Sequence, residues 1–184
     1  GMFLAFGMLA ALIHARASGQ GQIVDASMSE GAAVLLSMIQ TFRQIGIWKD
    51  ERGVNLLDGG APFYDTYETA DGKFISIGAL EPQFHARLLE LLGLTDDPLF
   101  AEQMNEANWD AARERLTAIF AGKTRDEWDA IFLGSDACYA PVLSMEEVSR
   151  HPHNQARGAY VEIDGIMQPA PAPRYSASQT VFPR

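Results

Sequence analysis

One cysteine, Cys138, stands in 184 residues, so no disulfide can form within the chain and a reducing compartment is expected. Positive charge is also scarce. Lysine and arginine number 14 against 24 aspartates and glutamates, a formal net charge of -10. That balance argues against a nucleic-acid backbone or an anionic membrane as the main partner, and leaves room for a local basic pocket. No apolar run is long enough to span a bilayer. The longest candidate, Met2 to Ile13, is too short, and no basic stretch precedes it as a secretory leader would need, although Ala15-Arg16-Ala17 resembles a cleavage site. Also missing are a phosphate-binding P-loop, a GxGxxG turn, an HExxH helix and a GxSxG elbow, so the commonest nucleotide, zinc-protease and serine-hydrolase signatures do not apply. What remains is a chain with 47% apolar residues, enough for one or two small cores.

The pattern predicts two units. Met2 to Ala17 reads as a helix apolar nearly all round, hence buried, with Gly19 as its left-handed cap. A short strand is expected over Gly21 to Ala26. A second helix should run from Ser27, whose spacing to Glu30 fits a capping box, toward Ile45. Helix, strand, helix is the rhythm of an α/β layer. Residues 1–45 are therefore expected to be a piece of a larger α/β domain, and 46–60 a linker. Residues 61–150 should form a small α+β domain, and 151–184 a tail returning toward the large one. Within the small domain, Phe63 to Thr69 and Lys73 to Ala79 flank the turn Ala70-Asp71-Gly72 and predict a hairpin. Helices are expected from Glu81-Pro82 to Gly93, over Trp109 to Phe120, and over Arg125 to Phe132, the last with Thr124 and Glu127 in capping-box spacing. Ala140 to Leu143 predicts a strand, Ser144 to His151 a short helix, and Ala159 to Ile163 a strand before an Asp164-Gly165 turn.

Few side chains stand out chemically. Glu81 lies between an apolar strand and a helix opened by Pro82, which places it at the helix N-cap. Free backbone N–H groups would hold a carboxylate rigidly there; a plain cap has the same spacing. Tyr64 follows Gly59-Gly60-Ala61-Pro62-Phe63, where glycines permit close backbone approach to a ligand and the phenol can hydrogen-bond it. A tight turn followed by a strand aromatic fits the same residues. Asp58 and Asp71 read as turn residues. His85 lies one helical turn past Glu81, facing the same side or simply the surface. His14 ends the apolar helix and reads as a capping or packing residue; His151 and His153 lack the neighbours of a metal site, and Cys138, with no evident base, reads as a buried inert thiol.

Longer segments carry a resemblance. Gly19-Gln20-Gly21-Gln22-Ile23-Val24-Asp25-Ala26-Ser27-Met28 resembles the strand-to-helix passage of family III CoA-transferases and α-methylacyl-CoA racemases. Asn55 through Tyr64, Thr69-Ala70-Asp71-Gly72, and Ile77-Gly78-Ala79-Leu80-Glu81-Pro82-Gln83-Phe84 resemble the racemase branch, as do Asp136-Ala137-Cys138 and Pro141-Val142-Leu143. His153-Asn154 before Arg157-Gly158 extends the likeness over essentially the whole chain.

The resemblance implies a Rossmann-like large domain, represented by a fragment, beside a smaller α+β domain. It implies an isomerase that equilibrates 2-methyl-branched acyl-CoA thioesters by removing the α-proton and returning it to either face of an enolate. Coenzyme A would enter as part of the substrate, with no further cofactor and no metal. In the family, a histidine paired with a glutamate serves one face and an aspartate the other. Glu81 matches that glutamate, and Tyr64, with Gly59 and Gly60, matches the acyl-binding segment. The histidine and aspartate lie upstream of the matched residues, so the chain alone is expected to be truncated and inactive. An interlocked homodimer and a cytoplasmic location are also expected, since no peroxisomal tripeptide ends Phe182-Pro183-Arg184. A CoA-transferase working through an aspartyl thioester is the alternative enzyme, and a non-catalytic dimerisation fragment the alternative class.

Overall fold

The computed structural model describes residues 1–178 and divides the chain into two compact units, Gly1–Asn55 and Leu56–Arg184. Residues 179–184, including Phe182-Pro183-Arg184, lie outside the described residues.

The first unit is helical. α1 (Met2–Ser18) ends on Gly19 in the left-handed region at φ 73°, as its sequence requires. α2 (Met28–Leu35) and α3 (Ser37–Gln44) replace the single helix expected to reach Ile45. The break falls at Leu36, where the Ser37 hydroxyl donates to the Val34 carbonyl at 2.6 Å. Such back-bonding competes with the helical ladder and bends the axis. The Ser27 capping box does not form either, because the Ser27 hydroxyl bonds the Ser29 hydroxyl at 2.8 Å instead. Residues 21–26 are irregular rather than a strand. A strand needs a hydrogen-bonding neighbour, and none pairs with this run among the described residues. Glycines let the unit's pieces approach: the Val24 side chain lies where a Cβ on Gly7 would stand, and the Phe3 ring lies against Gly31. The apolar α1, expected to be buried, has no buried residue, and Phe6, Leu9 and Ile13 are exposed.

The second unit packs helices on one face of an antiparallel sheet. β1 (Tyr64–Glu68) pairs with β2 (Phe74–Gly78), and β2 with β3 (Tyr139–Val142), in the order β1-β2-β3. The turn glycine Gly72 sits at φ 70°. Strand alternation sends Tyr67, Ile75 and Ile77 inward and leaves Tyr64, Thr66, Ser76 and Gly78 on the outer face. Against the inner face pack α4 (Pro82–Leu92), α5 (Trp109–Phe120) and α6 (Arg125–Phe132). Phe120 is fully buried at the centre, with Tyr67, Trp128 and Phe132 rings 5.0, 5.2 and 6.3 Å away. Burying side chains of this size stabilises by about 1.5–3 kcal/mol each. The Thr124–Glu127 capping box forms in full.

A charged clamp closes the sheet's other end. Arg125 is buried and donates to both Glu147 carboxylate oxygens, at 2.6 and 3.0 Å, and to the Val142 carbonyl. Those bonds hold the Glu147 carboxyl far below the usual carboxylate range. Residues 145–150 form turns rather than the expected helix, although Ser144 and Glu147 exchange the two hydrogen bonds of a capping box. α7 (Pro152–Ala156) begins after them, and β4 (Tyr160–Ile163) pairs with β5 (Ile166–Pro169) in a separate hairpin around Asp164-Gly165. Among the described residues no helix is long and apolar enough to cross a membrane.

Candidate active site

The site grows from the segment before β1. Gly59 adopts φ 92°, which a side chain would strain, and Gly60 donates its N–H to the Asp58 carboxylate at 3.2 Å. Asp58 is thus the turn residue its position implies. Phe63 then enters a small second core, edge-on to His85 at 5.5 Å and to Trp109 at 6.0 Å. The Tyr67 hydroxyl donates to the Pro62 carbonyl at 2.5 Å, and Ala79 N–H to the Phe63 carbonyl at 3.0 Å. These ties bring Tyr64 onto the outer face of the hairpin, directly opposite Gly78. Its ring carbons lie 3.7 and 3.8 Å from the position a Gly78 Cβ would take.

Beside that ring opens a cavity of about 460 Å³, lined by Asp58, Gly59, Tyr64, Asp65, Ser76 and Cys138 among others. Cys138 is exposed here, not the buried thiol expected. The reason is local: it takes φ 50°, so buried Ala137 faces the core while the next side chain turns out. Its carbonyl accepts from Gly78 N–H at 2.9 Å, extending the sheet to the cavity edge. Partial burial and then the nearby charges of Glu81 and Asp136 push the thiol up from its ordinary value.

Glu81 does not itself line the cavity, but its charge is one of those that raise the pKa of Cys138, which does. Glu81 is the N-cap residue of α4, at φ -74° and ψ 145°, with Pro82 following as expected. However, its side chain accepts no capping hydrogen bond, so the carboxylate is not spent on the helix and stands exposed. The junction is fixed from behind by Gln103, whose amide donates to the carbonyls of Ala79 at 3.1 Å and Leu80 at 2.9 Å. Trp109 in turn donates to the Gln103 carbonyl at 3.0 Å.

His85 is not on the surface. It is buried against Phe63, and burial lowers its pKa, so it sits as a neutral core imidazole. Asp71 keeps its turn role and adds another: it accepts from the Thr69 hydroxyl at 2.6 Å and from Arg125 N–H at 3.1 Å, joining the hairpin tip to α6. Those bonds, the Thr69 hydroxyl first, lower its pKa. His151 lines a second cavity with Lys73, Arg125 and Arg150, away from Tyr64. Sequence reasoning passed over Gln103 and Arg113. Neither carries a motif, and each acts on residues more than 20 positions away.

The arrangement is a cavity with small residues and a phenol in its lining, beside a strand-to-helix junction that presents an exposed carboxylate free of capping bonds. The chain belongs to CoA-transferase family III, whose sequence profile matches residues 1–183. Within that family it is 46% identical over 180 residues to the α-methylacyl-CoA racemase of Mus musculus, covering 98% of this chain and 47% of that one. It is 44% identical over 174 residues to the Homo sapiens racemase, covering 94% and 45%. The chain thus spans about half the length of these relatives. The crystal structure of Rv3272 from Mycobacterium tuberculosis superimposes with a TM-score of 0.72 at 24% identity, over 96% of this chain and 46% of that chain, a likeness of fold.

Proposed function

We propose that this chain supplies the glutamate-bearing half of a racemase site for 2-methyl-branched acyl-CoA thioesters. The observation that carries the reading is Glu81, at a clamped strand-to-helix junction, exposed and with a carboxylate free of capping bonds, whose charge is felt by Cys138 on the edge of the Tyr64 cavity. Abstracting a proton α to a thioester requires a base on each face of the enolate, with the oxyanion stabilised. In this reading Glu81 orients and polarises an imidazole base, and an aspartate serves the opposite face. Both partners belong to the half of the relatives that this chain does not span. Tyr64 lines the acyl chain's path, and the Gly59-Gly60 backbone approaches the thioester. The first unit completes a Rossmann-like domain in the whole protein. A second copy covers the exposed apolar side chains of α1, because contiguous apolar surface of this kind marks an interface.

The test is isotopic. A (2R)-2-methylacyl-CoA is incubated in deuterated water with the full gene product, and deuterium at C2 is followed by NMR. Glu81→Gln should slow exchange about 100-fold or more, the range of general acid–base contributions, with no loss of thermal stability. Undiminished exchange in Glu81→Gln would refute the role. The family's name favours a second reading, CoA transfer between carboxylic acids. Transfer of CoA to a free acid without C2 exchange would establish that reading instead.

A further inference from the structure

We propose that Arg113 of α5 is a positioning residue for the acyl-CoA site, an inference that rests on the reading of the Tyr64 cavity given above. Its guanidinium reaches across about 50 residues of sequence to three acceptors, two of them on residues that line that cavity. Nη2 donates to the Gly59 carbonyl at 2.6 Å and to the Gly60 carbonyl at 2.7 Å. Nη1 pairs with the Asp65 carboxylate. Gly59 and Asp65 both line the cavity. Two successive carbonyls converging on one cation fix two successive peptide planes. In a trans peptide the N–H points opposite to the C=O. The Gly60 N–H accordingly faces away from Arg113 and is taken by Asp58, another lining residue.

The same contact sets the wall's charge. Asp58 and Asp65 both line the cavity, while the ligand class carries phosphates. With Arg113 in place, the Asp65 charge is paired on the side away from the ligand. Without it, the Gly59-Gly60 turn loses its anchor and an unpaired carboxylate confronts an anionic thioester. Lysine is a poor substitute, because a single ammonium lacks the planar fork that spans three acceptors.

Cys138 provides the readout, since it is the chain's sole cysteine, is exposed, and lines the same cavity. The rate of its alkylation by N-ethylmaleimide is measured against rising 2-methyldecanoyl-CoA, together with a thermal melt, for the wild type, Arg113→Met and Arg113→Lys. The wild type should be protected. Both variants should need at least tenfold more thioester for half-protection, read well below their melting midpoints, which should themselves fall by several degrees because the Gly59 and Gly60 carbonyls lose their donor. Unchanged half-protection in Arg113→Met, or in Arg113→Lys if Arg113→Met does not fold, would overturn the proposal with the cavity reading intact. Failure of the wild type to be protected would instead overturn the cavity reading itself, and this inference with it.

Discussion

Replacing Tyr67 with phenylalanine removes one oxygen and leaves the ring in place. That oxygen is buried and donates to the Pro62 carbonyl at 2.5 Å, tying β1 to the segment that delivers Phe63 and Tyr64. Its loss strands a carbonyl, for which the cost is about 1–3 kcal/mol. For a unit of this size each kcal/mol moves the melting midpoint by roughly 4 °C, so Tyr67→Phe should melt about 4–12 °C lower at pH 7. The phenol adds a second signature. Burial raises the Tyr67 pKa well above its ordinary value of 10.0. A group raised on folding contributes stability that is complete below the unfolded pKa and is lost as pH rises through the alkaline range. At pH 11, one unit above the unfolded value, the wild type has lost about 1.4 kcal/mol that Tyr67→Phe cannot lose, so the gap between them narrows by that amount. Urea unfolding at pH 8 and pH 11 measures both effects. A cost below about 0.5 kcal/mol at pH 8 with parallel alkaline slopes would refute the reasoning.

Acid should weaken the second unit. Glu147, Glu127 and Asp71 all have pKa values lowered by hydrogen bonds from Arg125, Thr124 and Thr69, so their stabilisation is complete above about pH 4.5–5 and falls away below it. Glu147→Gln should flatten the fall in urea midpoint between pH 5 and pH 3; an unchanged slope would contradict the clamp. Two glycines should behave oppositely. Gly59→Ala forces a side chain into φ 92° and should cost about 1–2 kcal/mol, whereas Gly78→Ala, whose Cβ meets only ordinary contacts, should melt within 2 °C or so of the wild type. Gln103→Leu leaves the Ala79 and Leu80 carbonyls unpaired and should lower stability by about 1–3 kcal/mol, with faster amide exchange at residues 79–81 as the specific signature.

Where structure is dictated locally, the sequence was readable. The Ala70-Asp71-Gly72 turn, the Thr124–Glu127 box, Pro82 at the first position of α4, and Gly19 and Gly93 as helix ends all act within a few residues, and all appear where their spacing puts them. The failures are of another kind. The run 21–26 has strand composition but pairs with no strand among the described residues, and Ile23 stands 96% exposed. Leu36 breaks a helix that periodicity continues, because a serine hydroxyl outcompetes the ladder. Cys138 depends on a left-handed residue whose adoption no local rule forces. The place of Glu81 at the N-cap of α4 and of Tyr64 on the hairpin was legible in the local pattern, although the capping bond expected of Glu81 does not form. Arg113 and Gln103 were not legible, because their partners meet them only through the packing of α5 and the loop before it against the hairpin.

The proposed racemase role requires that acyl-CoA be received on the Tyr64 side of the sheet, near Glu81. Amide NMR of the isotopically labelled protein titrated with 2-methyldecanoyl-CoA should then show saturable shifts at Gly59, Gly60, Tyr64, Gly78, Glu81 and Cys138. Shifts confined to the cavity of Lys73, Arg150 and His151, or none anywhere, would contradict it.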